Sequence, residues 1–349
     1  MAYISFQPSD HYNTKLYVGN DTSTNAITGV GFQPDFTWIK NRDATDFHIL
    51  TDSARGATIY LKSDTNTADT TQANSLKSFD TDGFTVGNIA QINTLPEDYV
   101  SWNWKMGTTS GLSGGTITPS DYTFNTTAGQ SVIAYPGNGV AGATIPHGLG
   151  VTPGLIICKR RNGADNWWVH VKGLTGPQYM ILNYDNLVGS ATAVWNDTLP
   201  TSTVFSVGTD AGINASGGTY IAYCFAPIKG YSKFGEYTGN GDADGTFIYT
   251  GFRPAFVMVK NKPSAQAWNT FDDKRSTSTK NVCNKMMQPN DASVEITSAA
   301  NVKEMDLLSN GFKLHATNDE VNSASQSMLY AAFAEFPFVS SNSIPGTAR

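Results

Sequence analysis

The chain has 349 residues, of which 40% are hydrophobic and only 15% charged, with a net charge of −6. That length can bury a core and suggests two or three domains. Charge content well below the roughly 25% of an average soluble domain leaves Thr, Ser, Asn and Gly as the polar surface, a mixture suited to short strands and turns. An acidic balance with no Lys/Arg-rich run argues against nucleic-acid binding, and no stretch approaches the roughly 20 apolar residues of a membrane span.

The first predicted β module covers residues 1–108. The N-terminal text MAYISFQPSD carries no signal-peptide pattern, so cytosolic synthesis is expected. A tyrosine and a Gly-Asn turn open the module at Tyr17-Val-Gly19-Asn20, followed by Gly31-Phe-Gln-Pro34. The apolar strand DFTWIK then closes on Lys40, six residues after the proline. A proline suits a strand's first position, where its missing N–H breaks no ladder, and the terminal lysine is expected to hold its ammonium in water. Phe47 is the next core aromatic expected, then Asp52-Ser-Ala-Arg55, Gly83-Phe84-Thr-Val and Asn93. The closing strand YVSWNWK (99–105) alternates, with Val100, Trp102 and Trp104 on one face.

Residues 109–129 read as a linker with an extra strand, because Thr108 to Gly115 is rich in Gly, Thr and Ser. The second module, 130–230, then repeats the landmarks in order: Tyr135-Pro-Gly137-Asn138, Gly150-Val-Thr-Pro153, GLIICK to Lys159, Trp167 or Trp168, Phe205, Asn214 and YIAYCFA. It lacks the Asp/Arg pair, having Val171-Lys172-Gly173 instead. The third module, 231–338, has Tyr237-Thr-Gly239-Asn240, Gly251-Phe-Arg-Pro254, AFVMVK to Lys260, Trp268, Asp272-Asp-Lys-Arg275, Gly311-Phe312, Asn322 and MLYAAFA. Residues 298–308 are the one stretch with helical periodicity, and 339–349 form a polar tail. Ordered landmarks at matched spacing predict an all-β chain of three tandem, degenerate, lectin- or jelly-roll-like β-sandwich modules with antiparallel sheets.

Three side-chain groups invite a chemical reading. Trp167 and Trp168, beside Asp165 and Asn166, form the sharpest binding hint, since aromatics next to acid and amide groups stack on sugar rings and hydrogen-bond hydroxyls. The competing expectation is that one indole is the repeat's core aromatic and only its neighbour projects outward. Asn240-Gly-Asp242-Ala-Asp244-Gly245 resembles the start of a calcium loop, with Asn240, Asp242 and Asp244 as ligands. Position twelve is Gly251 and not the bidentate glutamate, so a plain acidic hairpin turn is the first expectation and calcium the alternative. The three cysteines, Cys158, Cys224 and Cys283, are odd in number and widely spaced, against a disulfide framework or zinc site; Cys283, in a polar segment, reads as a free thiol. No carboxylate pair, histidine spacing or Gly-x-Ser-x-Gly elbow marks catalysis, so the chain is read as no enzyme.

The texts GFQPDFTWIKNR, SFDTDGFTVG and YVSWNWKMG of the first copy, with EYTGNG, GFRPAFVMVKN and LYAAFAEFPF of the third, resemble a domain recurrent in proteins of marine bacteriophages, including those of cyanobacteria. The resemblance covers most of the chain and is weakest in the second copy. It implies a virion structural protein of tail-fibre type with a lectin-like sandwich fold, and carries over no catalytic residue. The expectation is therefore a non-catalytic, receptor-binding or fibre-type virion protein. It would be a homotrimer contacting other virion proteins and a host-surface glycan, with no nucleic-acid partner, membrane insertion or cofactor. Capsid decoration and a tail-associated glycan hydrolase are the alternatives.

Overall fold

The computed structural model describes residues 7–276, 281–298 and 303–335. The fold is all-β: strands make up 42% of it and short helices 6%, every ladder being antiparallel. One four-strand order recurs in three large sheets. In the first, the opening strand Tyr12–Val18 lies beside the closing strand Asp98–Trp104, then the proline strand Phe36–Asn41 and the return strand Ile49–Asp52. The second has Gln130–Pro136, Thr219–Phe225, Leu155–Arg160 and Trp167–Val171 in the same order, and the third Ser232–Thr238, Ser327–Ala334, Pro254–Asn261 and Asn269–Asp272. The ladder registers match from Phe36, Leu155 and Phe256 onward, the third sheet having a bulge between Pro254 and Phe256. Phe36 faces Trp104, Leu155 faces Phe225, and Phe256 faces Phe333. A smaller sheet accompanies each large one, and an apolar core of its own fills each sandwich.

The repeated landmarks are the joints of this scaffold. The hydroxyls of Tyr17, Tyr135 and Tyr237 donate to the carbonyls of Ile92, Ile213 and Val321 at 2.9, 3.0 and 2.5 Å. The buried amides of Asn93, Asn214 and Asn322 accept from the backbone N–H of Asn20, Asn138 and Asn240, clamping each Gly-Asn turn. Glycine is required ahead of those asparagines: a Cβ on Gly19, Gly137 or Gly239 would sit 2.0, 2.2 or 2.3 Å from the carbonyl oxygen of Thr94, Ala215 or Ser323.

The outer faces of the large sheets do not meet water. They pack against one another in a shared core drawn from all three copies. Trp104, Phe225 and Phe333, equivalent by register, form a triangle at its centre, with ring centroids 5.8, 5.7 and 5.2 Å apart. Around it the contacts run cyclically. Trp167 Nε1 of the second copy donates to Lys62 O of the first, Trp268 Nε1 of the third to Ile181 O of the second, and His48 Nε2 of the first meets Gln288 O of the third. Backbone bonds repeat the cycle: Asp69 N to Arg161 O, Val188 N to Lys262 O and Glu295 N to Arg42 O. The closing junction also carries a two-nitrogen Arg42–Glu295 ion pair at 2.9 and 3.0 Å.

Burial and strand pairing correct three expectations. Lys40, Lys159 and Lys260 do not reach water; each is buried and donates to two carbonyls of the hairpin that follows, for Lys40 those of Asn41 (2.7 Å) and Ala44 (3.4 Å). Burial lowers all three ammonium pKa values to about 8. Phe47 is not the core aromatic of the first copy: it is exposed, with the Lys62 ammonium 4.3 Å from its ring centre, and His48 takes the position of Trp167 and Trp268. The helix expected over 298–308 is a strand at Glu304–Leu308, pairing with Gly311–His315; residues 299–302 and the tail lie outside the described residues. Cys283 is a thiol outside any disulfide, as expected, and like Cys158 and Cys224 it is buried.

The Asp/Arg pair and its absence in the second copy have one explanation. Asp52 and Arg55 form a buried pair at 2.7 Å whose exposed edge is completed by the neighbouring copy: Tyr223 Oη donates to Asp52 Oδ2 (2.7 Å) and accepts from Arg55 (3.0 Å). Asp272 and Arg275 are completed likewise by Trp102 Nε1, at 3.0 Å from Asp272. In the second copy Val171 and Leu174 occupy the equivalent places, and the residue in the third copy equivalent to Tyr223 and Trp102 is Ala331, with no polar group to offer. Two junctions are sealed by ions and one by apolar side chains.

Candidate functional site

The residues singled out from sequence are scaffold. Trp167 is fully buried in the shared core and Trp168 is 8% exposed, its ring edge-on to Tyr179 at 4.8 Å. Neither indole projects outward, which removes the stacking site expected there. The return strand buries one indole in the shared core and the other in the sandwich interior because successive residues face opposite sides of a sheet that is covered on both. Asp165 pairs with Arg160 at 3.5 Å and its N–H donates to Asn66 O across the junction with the first copy, while Asn166 Oδ1 accepts from Asn183 within the second copy.

In the acidic turn, Asn240 Oδ1 accepts from Asp242 N–H and Asn322 Nδ2, Asp242 Oδ1 accepts from Asp244 N–H, and the Asp244 carboxylate is paired with the Lys313 ammonium. Donors therefore occupy one oxygen of each of these three side chains. Among the described residues no group of three or more His, Cys, Asp or Glu side chains is placed to hold a metal. Burial keeps His48, His147 and His170 neutral, lowering the latter two to about 4, and pushes the thiols of Cys224 and Cys283 up to about 12.

Two hollows of ligand size lie open: a more apolar one of about 460 Å³ on the second copy, lined by Val151, Pro153, His170, Leu174, Leu199 and Pro200 among others, and a polar cleft of about 410 Å³ where the first copy meets the linker, lined by Gln33, Asp35, Ser53, Lys105, Asp121 and Tyr122 among others. The polar cleft exists because the linker strand Asp121–Asn125 adds to the edge of the second large sheet and passes the end of the first. Gly107 N–H donates to Thr123 Oγ1 (3.0 Å) and Thr108 bridges to Phe124, fixing that crossing. No such strand links the second and third copies. Asp35 immediately precedes the proline strand. Its two oxygens accept from Ser53 Oγ at 2.9 Å and Met106 N–H at 2.8 Å. Burial lifts its carboxyl above the ordinary value, against those two donors and the nearby Lys105 ammonium. Gly154 and Ala255 stand at the equivalent positions of the other copies, so the carboxylate is peculiar to this place. Asp121 is exposed across the cleft and Tyr122 offers a half-buried ring, its hydroxyl accepting from Leu112 N–H. Gln33, Ser53, Lys105 and the two carboxylates give donors and acceptors around a small concave volume within the size range of ligand sites. Sequence reading missed this cleft because Asp35 and Asp121 are 86 positions apart.

A family model matches residues 7–337, which include every described residue and all three copies. The chain belongs to the family described as a domain of unknown function (DUF7483). That one model spans the ring agrees with its shared core, which no single copy could close. No curated protein and no solved structure matches the chain.

Proposed function

We propose that this DUF7483 chain is a non-catalytic structural protein of a bacteriophage virion, of tail-fibre or receptor-binding type, that recognises a host-surface glycan in the Asp35 cleft. The virion part rests on the resemblance of its repeated text to marine phage proteins. The observation that carries the binding part is the contrast between scaffold and cleft. Every landmark common to the copies is consumed by turns, junctions or the shared core, whereas the cleft is lined by polar groups present once and held by the linker. A hydroxyl-rich ligand suits such a lining, with Gln33 and the two carboxylates facing hydroxyls and the Tyr122 ring offering an apolar face. Asp35 with both oxygens already accepting hydrogen bonds is better placed to bind than to shuttle protons.

Purified protein should bind host cells or their lipopolysaccharide, and Asp35→Asn with Asp121→Asn should weaken that binding at least tenfold. Undiminished binding by the double variant would remove the cleft from the reading, and release of reducing ends from host polysaccharide would replace it with a hydrolase. The internal threefold arrangement favours one other reading, a decoration protein seated where three shell subunits meet, in which one chain does the work expected of a homotrimer. Immunogold labelling of virions separates the two: tail labelling supports the first and head labelling the second.

A further inference from the structure

The smaller sheet of the third copy carries a feature the other copies lack. On the edge strand Phe247–Tyr249, Ile248 points inward while Phe247 and Tyr249 are 45% and 59% exposed. Two residues apart on one strand, the rings lie on the same face roughly 7 Å from each other. Both are held. Phe247 lies against Gly311, whose Cβ, if it had one, would be 3.0 Å from Phe247 Cε2. The Lys233 ammonium sits 5.1 Å from the centre of the Tyr249 ring and donates to the Tyr249 carbonyl at 2.6 Å. Beside the rings, Lys313 faces Phe247 across the ladder and pairs with Asp244, whose carboxylate is 84% exposed. Asp306 and His315, paired at 2.8 Å, continue the polar border on the same sheet.

Rings fixed in place and left in water cost solvation that packing does not recover. At the equivalent positions the first copy has Ala26 and Thr28, and the second has Thr144 and Pro146, with Thr144 covered by Thr116 of the linker. The scaffold therefore does not need aromatics there. We propose that Phe247 and Tyr249 are a stacking platform for a pyranose-containing glycan, whose hydroxyls are met by Asp244 and Lys313. Two aromatic faces bordered by a carboxylate and an ammonium match the apolar ring face and polar rim of a sugar. A pairing strand from another protein is disfavoured by the same charges, which guard a sheet edge against augmentation. In this reading the acidic turn positions Asp244 beside the rings. This inference rests on the glycan-recognition reading above and adds a second contact to it.

The test is a glycan microarray of neutral, N-acetylated and uronic-acid oligosaccharides, with hits titrated in solution against full-length protein. The variant is Phe247→Ala with Tyr249→Thr, which installs the side chains the first copy already tolerates, and its urea midpoint checks the fold. The expected result is binding by the unaltered protein that falls at least tenfold in the variant at an unchanged midpoint. Glycan binding undiminished in the variant overturns the platform and leaves glycan recognition standing. Absence of any bound oligosaccharide overturns both. Concentration-dependent self-association that the variant abolishes also overturns the platform, by making the patch a protein contact.

Discussion

Replacing the ions at the first junction with the apolar set of the second should show that they are worth little together and much apart. Asp52 and Arg55 are fully buried, and Tyr223 Oη bonds both, at 2.7 and 3.0 Å. Removing that hydroxyl in Tyr223→Phe takes one hydrogen bond from each of two buried charges, at about 1.5–3 kcal/mol apiece, so a loss of about 3–6 kcal/mol is expected. Arg55→Leu leaves the Asp52 carboxylate with no cation and should cost about 3–5 kcal/mol. The triple variant Asp52→Val, Arg55→Leu, Tyr223→Phe reproduces the chemistry by which Val171 and Leu174 already seal the neighbouring junction, and should lose less than about 2 kcal/mol, because buried ion pairs replaced whole by apolar side chains are often nearly neutral. Urea unfolding of the set, with the coupling energy taken from the cycle, is the assay. Additive losses would refute the argument, since they would mean that each group contributes alone.

Three further outcomes follow from the same geometry. Phe333→Ala removes one corner of the aromatic triangle and should cost about 3–5 kcal/mol while unfolding stays a single transition; a separate early transition confined to the third copy would show that the copies are not coupled through this core. Gly137→Ala should destabilise by about 1–3 kcal/mol, because its Cβ meets the Ala215 carbonyl oxygen at 2.2 Å; an unchanged urea midpoint would count against that clash. His170 has its folded pKa lowered to about 4 by burial, so the stability its neutral form confers is complete above the unfolded value of about 6.5 and is lost as pH falls toward 4. His170→Phe, which copies Phe271 of the third module, should flatten the fall in thermal midpoint between those values, and an unaltered acid limb would refute the assignment.

Much of this protein was legible in its residues. Strands, turns and the threefold repetition follow from local rules, because a proline before an apolar run, a Gly-Asn turn and period-2 alternation act over a few residues. The lysine six residues after each proline was equally visible, but its burial was not: whether a strand's end meets water depends on which hairpin folds over it, and here each hairpin turns its carbonyls onto the ammonium. Trp167 and Trp168 show the same division. Sequence marks them as aromatic and strand-borne, yet sandwich core and shared core take both, leaving the ligand hint empty. His48 replacing a tryptophan was hidden because the preceding Phe47 offered a better-looking match one position away.

The residues by themselves determined the unit, a β-rich module written three times with its turns and clamps. Only the tertiary structure decided that the outer faces of the three large sheets close on one another, because that contact joins residues more than 200 positions apart, such as Trp104 and Phe333, and no local pattern encodes which apolar face meets which. The two places proposed for recognition, the linker's cleft at Asp35 and the aromatic edge at Phe247 and Tyr249, both lie outside the repeated landmarks.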